Sequence, residues 1–99
     1  MKKMLVTIGS SFIIDLILTE EQANLCYHSG DCEESIKIVR EMPEIQAQFA
    51  KISEDTLRKV IGEIYYEEMP NEMDREWLEY YALFEAGALC IDGAYEELN

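Results

Sequence analysis

The sequence predicts an α+β domain in which an N-terminal two-stranded antiparallel hairpin packs on a bundle of three to four helices. Three observations point there. Two runs rich in β-branched and apolar residues, KKMLVTI and FIIDLIL, open the chain with GSS between them, the pattern of a hairpin. From Thr19 onward the apolar residues change to helical spacing. Finally, 99 residues of which 48% are hydrophobic suffice for one domain, residues 1–99, with one modest core.

Each helix has a marked start. Thr19 with Gln22 three residues on forms a capping box that opens a helix at Glu20. Gly30 suits the left-handed residue that ends it, and Asp31 with Glu34 caps the next. In that second helix Ile36, Val39 and Met42 share a face. Pro43 fits the first turn of a continuation through Ile45, Phe49 and Ile52. Ser53, followed by Glu54 and Asp55, starts a section in which Leu57, Val60, Ile61, Ile64 and Tyr65 follow the amphipathic pattern. MPNEMD breaks the chain at Pro70. A last helix is expected from about Asn71 towards Ile91, with Trp77, Tyr80, Tyr81, Phe84, Ala88 and Ile91 on its broad apolar face. For residues 87–99 the helical continuation is favoured over a small hairpin turning at Asp92-Gly93.

The stretch CYHSGDC, residues 26–32, invites a metal reading, because Cys26, His28 and Cys32 with the distant Cys90 supply four ligands. The spacing argues against it. On a helix, residues two apart point away from each other, so Cys26 and His28 cannot chelate together. A helix–turn–helix corner explains each residue: Cys26 packs as a small apolar group, His28 sits in a last turn, and Gly30-Asp31 make the bend. No metal and no cofactor is expected. The single histidine, the lack of a glycine-rich phosphate loop and the lack of a calcium loop point away from an enzyme.

Charge is the strongest feature. Residues 63–99 hold eleven acidic groups against Arg75 alone, whereas residues 1–19 are slightly basic. The net charge of −13 argues against direct binding of nucleic acid or anionic membrane, and no apolar run approaches the ~20 residues of a membrane span. The start, MKKMLVTIGSSFIIDLIL, resembles a signal peptide but is interrupted by Asp15, so it is read as part of the fold. Three cysteines make no disulfide framework, which favours a cytoplasmic setting.

The acidic surplus yields a candidate site. Glu72, Glu76 and Glu79 stand at i, i+4 and i+7, opposite the Trp77/Phe84 stripe, and Glu63, Glu67, Glu68 and Asp74 extend the patch. Like charges so spaced cost a helix ~0.2–0.5 kcal/mol each, and only Arg75 is near enough to offset them. Carboxylates ~5–6 Å apart along a helix approximate the phosphates of a nucleic-acid strand. Such an array fits a basic groove and can block it. The expected partner is a basic host protein or nucleoprotein complex. A plain solvated surface explains the same charges. A third reading is an apolar docking module or homodimer built on the late aromatic residues.

Three segments, LTEEQANLCYHSGDC, MPEIQAQFAKI and WLEYYALFEAGALCIDG, resemble those of small acidic proteins encoded by bacteriophages and prophages, the group that includes anti-CRISPR and other anti-defence inhibitors. The resemblance implies a compact, non-enzymatic inhibitor whose target is a host defence complex of CRISPR type, with nucleic-acid mimicry as one mode of action. It brings no catalytic residue.

Overall fold

The computed structural model describes residues 2–27, 32–65 and 72–98. Strand β1 (Lys3–Gly9) and strand β2 (Ile13–Thr19) form the expected hairpin, pairing antiparallel from Lys3↔Thr19 to Gly9↔Ile13. Side chains alternate across a strand. Met4, Val6 and Ile8 of β1 and Ile14, Leu16 and Leu18 of β2 therefore enter the core, while Thr7, Ile13, Asp15 and Ile17 face out. Gly9 has φ +103°, and a Cβ there would lie 2.0 Å from the Phe12 carbonyl oxygen, so the turn demands glycine.

Five helices follow among the described residues: α1 (Glu20–Cys26), α2 (Cys32–Arg40), α3 (Pro43–Phe49), α4 (Glu54–Tyr65) and α5 (Arg75–Ile91). The capping box of α1 is complete, since Thr19 Oγ1 accepts from Gln22 N and Gln22 Oε1 accepts from Thr19 N. Pro43 occupies the first turn of α3, and Ser53 Oγ accepts from Thr56 N at the start of α4. The stripes expected on α2, α3 and α4 are those that are buried: Ile36 and Val39, Ile45 and Phe49, then Leu57, Val60 and Ile61. Each such side chain withdrawn from water favours folding by about 1.5–3 kcal/mol before the chain's entropy is counted. The expected bend at Gly30-Asp31 and the break at Pro70 lie outside the described residues.

Helix α5 departs from expectation in two ways. It begins at Arg75, with Asp74 as N-cap accepting from Trp77 N at 3.1 Å, rather than near Asn71, which lies outside the described residues. It also turns a different face inward. The residues buried are Leu78, Glu79, Ala82, Leu83, Ala86, Gly87 and Cys90, whereas Trp77 is 40% and Ile91 50% exposed. The reason is close packing against α1. A Cβ on Gly87 would lie 2.7 Å from Cys26 Cβ and 3.1 Å from the Ala23 carbonyl oxygen. Gly87 permits that approach, Ala82 and Ala86 are buried on the same helix, and the bulky aromatics lie on the flanks.

The end of the chain is neither alternative alone. Helix α5 runs to Ile91 and closes with Gly93 at φ +84°, where Ala94 N donates to Leu89 O and Gly93 N to Cys90 O. This pair of bonds is a Schellman stop. The chain then forms a third strand, β3 (Glu96–Leu98), which pairs antiparallel with β1 from Lys3↔Leu98 to Leu5↔Glu96. The sheet order is β2-β1-β3, with the helices on its inner face.

Candidate functional site

The seven acidic residues singled out in the sequence do not form one array. Glu79 is 5% exposed and lies between two arginines, with Oε1 accepting from Arg40 Nε at 3.1 Å and Oε2 from Arg75 Nε at 2.8 Å. Arg75 reaches further, donating through Nη2 to the carbonyl oxygens of Phe49 at 2.6 Å and Ile52 at 2.8 Å. The Phe49 carbonyl also accepts from Ile52 N at 3.0 Å, and the charged donor adds to that turn, so Arg75 ties the start of α5 to the end of α3 while Glu79 holds Arg40 of α2 in place. The expectation that Glu79 belongs to an open acidic face is therefore corrected: it is an internal counter-ion joining three helices.

Glu63, near the end of α4, is also committed within the fold. Its Oε2 accepts from Ser10 Oγ at 2.7 Å and Ser11 N at 3.1 Å, and its Oε1 from Phe12 N at 2.7 Å. One carboxylate thus holds the hairpin turn. The hydrogen bonds from Ser10, Phe12 and Ser11, in that order of weight, lower its pKa by stabilising the charged form. Asp74 is exposed but spends an oxygen on capping α5. Glu67 and Glu68 lie outside the described residues. That leaves Glu72 and Glu76 as exposed carboxylates of the predicted set without a part in the fold's hydrogen bonding.

Beside them runs an aromatic row. Trp77 and Tyr80 rings are 5.2 Å apart, Tyr80 and Tyr81 5.2 Å, and Tyr81 and Tyr65 5.0 Å, with edge-to-face tilts that such rings favour. Tyr65 Oη donates to Glu85 Oε1 at 2.8 Å; partial burial, then that carboxylate, raises the phenol's pKa above its usual value. The row is half-buried except at Trp77, the one large exposed apolar side chain on α5 besides Ile91.

The positive charges are largely consumed. Lys37 pairs with Glu33, Arg58 with Glu54 and Lys59 with Asp55 at i, i+4, Lys2 with Glu97, and both Arg40 and Arg75 with Glu79. Six of the eight basic residues are thus paired among the described residues. The surface pairs contribute little to stability, but they remove the cations that would have screened the remaining carboxylates.

Among the described residues no group of three or more His, Cys, Asp or Glu side chains is placed to hold a metal ion. Cys26 and Cys90 are buried thiols, and burial raises the pKa of Cys90. Cys26 packs against Gly87 as the small apolar group expected, while His28 and Asp31 lie outside the described residues. A cleft of about 530 Å³, open to solvent, is lined by Glu20, Glu21, Asn24, Leu25 and Ser35. Its two carboxylates sit in the first turn of α1, where they complement the helix dipole. No described helix is long and apolar enough to cross a membrane. No family model, curated protein or solved structure matches the chain.

Proposed function

We propose that this protein is a non-enzymatic, stoichiometric inhibitor that binds a basic surface of a host nucleoprotein complex, of the CRISPR type that the phage-protein resemblance implies, and competes there with nucleic acid. The observation that carries this reading is the disposition of charge. The cations are spent on local pairs and on Glu79, so the carboxylates that reach solvent keep an uncompensated field. Glu72 and Glu76 come just before the exposed indole of Trp77 in sequence, so an aromatic anchor follows two exposed carboxylates. Aromatic anchors dominate protein interfaces, and the surrounding charge speeds encounter with a positive partner. The host cytoplasm is the setting this activity requires.

The contact set is narrower than the seven carboxylates expected from sequence. Glu63, Asp74 and Glu79 work inside the fold, so the interface is assigned to Glu72 and Glu76 among the described residues. The test is Glu72→Lys with Glu76→Lys, leaving those three untouched and checking the fold by circular dichroism. Tagged parent and variant proteins would be used to capture partners from a bacterial lysate at low and high salt. Loss of a basic, nucleic-acid-binding protein in the variant and at high salt supports the reading. Capture that neither change affects favours the second reading, an apolar docking module using Trp77, for which Trp77→Ala is the matching variant.

A further inference from the structure

We propose that Gln48 is a built-in plug that closes the exposed edge of the sheet and prevents copies of this chain from pairing through β2. In the order β2-β1-β3, β2 is an edge strand, and an edge strand presents unpaired N–H and C=O groups to any other extended chain. Gln48, on α3, meets that edge with its side-chain amide. Its Oε1 accepts from Ile17 N at 2.7 Å and its Nε2 donates to Ile17 O at 2.9 Å. An acceptor and a donor offered together to one residue's backbone are what a neighbouring antiparallel strand would supply. The side chain therefore occupies the place of an incoming strand.

The rest of the edge shows why one plug is enough. Outward groups alternate along an antiparallel strand, so those of Ile13, Asp15, Ile17 and Thr19 lie on the same side. Thr19 N is taken by Gln22 Oε1 at 3.0 Å. With Ile17 and Thr19 closed, only Ile13 and Asp15 remain to receive a partner among the described residues, too short a window for a stable ladder. Removing the Gln48 amide reopens Ile13 through Ile17, five residues, which is about the mean length of a strand. It also leaves Ile13, 53% exposed, and Ile17, 36% exposed, as apolar side chains flanking the opened groups. The occupant that fits is a second β2, antiparallel, with Asp15 opposite Ile17 of the other copy. That register keeps the two Asp15 carboxylates off each other, whereas pairing Asp15 with Asp15 would not.

The experiment is sedimentation of Gln48→Ala and, in parallel, Gln48→Ser, neither of which reaches the Ile17 backbone. Both substitutions sit at a half-buried position of a short helix and are compatible with helical backbone. Relative to the parent, each is expected to gain a concentration-dependent species of twice the mass. Adding Ile17→Lys, an edge charge of the kind that blocks strand addition, is expected to return the variant to the parent's mass. The proposal is overturned if both folded variants keep the parent's mass across the concentration range. It is equally overturned if association persists with Ile17→Lys, because the contact would then lie elsewhere.

Discussion

Replacing Glu79 by alanine should be the most damaging single loss of charge in this very acidic protein. The side chain is 6% exposed and accepts two charge-assisted hydrogen bonds, at 3.1 and 2.8 Å, from guanidinium groups whose own side chains are 21% and 31% exposed. Two such bonds are worth roughly 3–6 kcal/mol together. Because both arginines reach water and recover part of that by hydration, the expected net loss is about 2–4 kcal/mol. For a domain of this size that lowers Tm by roughly 10–25 °C. The assay is urea and thermal unfolding followed by circular dichroism, with the fluorescence of Trp77, two residues away on α5, as a second probe. Arg40→Ala should cost less than Arg75→Ala, since Arg75 also holds the Phe49 and Ile52 carbonyls. A Glu79→Ala loss below about 0.5 kcal/mol, the ordinary scatter of a surface substitution, would refute the assignment of Glu79 as an internal counter-ion.

Two further tests address other joints of the fold. Gly87→Ala gains about 1 kcal/mol of helix propensity, yet its methyl group meets Cys26 Cβ at 2.7 Å, so a net destabilisation of about 1–2 kcal/mol is expected in urea unfolding; a more stable variant would show that α1 yields. Glu63 titrates below its ordinary value of 4.5 in the folded state, so its contribution is complete above that pH and is lost as the pH falls through the lowered folded value. Glu63→Gln should therefore flatten the acid limb of the stability curve below about pH 4.5; an unchanged limb would remove Glu63 as the clasp of the hairpin turn.

What the sequence made legible was local. A hydroxyl and a glutamine three residues apart at Thr19 and Gln22, a proline at the first turn of α3 and the stripe Leu57/Val60/Ile61 each report a structure decided within a few residues. The hairpin belongs with them, since its strands are joined by only three residues. Helix α5 was harder because it carries two stripes at helical spacing. Trp77/Tyr80/Tyr81/Phe84 is the bulkier, but Leu78/Ala82/Ala86 is the one that is buried, with Gly87 against α1. Packing volume, not hydrophobicity, chose between them, and the small residues were the available signal. The Arg75–Glu79 pair could be read from its i, i+4 spacing, whereas Arg40 could not, because 39 residues separate it from Glu79. Strand β3 depends on pairing between Glu96 and Leu5, a contact no local pattern encodes.

The candidate site was legible only as a surplus. Counting charges located the acidic half of the chain but could not separate carboxylates that bind water from those that bind the protein itself. Glu63 and Glu79 belong to the second kind, and Asp74 is shared between capping and solvent. The same folding that removed them also concentrated the cations in pairs, so the net charge presented outward stays strongly negative.

The most direct measurement is competition. A host nucleic-acid-binding complex captured by the parent protein would be incubated with labelled nucleic acid and increasing amounts of the parent or of the Glu72→Lys, Glu76→Lys variant. A basic groove occupied by carboxylates predicts stoichiometric displacement by the parent, at least tenfold weaker displacement by the variant, and steep weakening of both with salt. Nucleic acid that stays bound while the parent protein is also bound would contradict it.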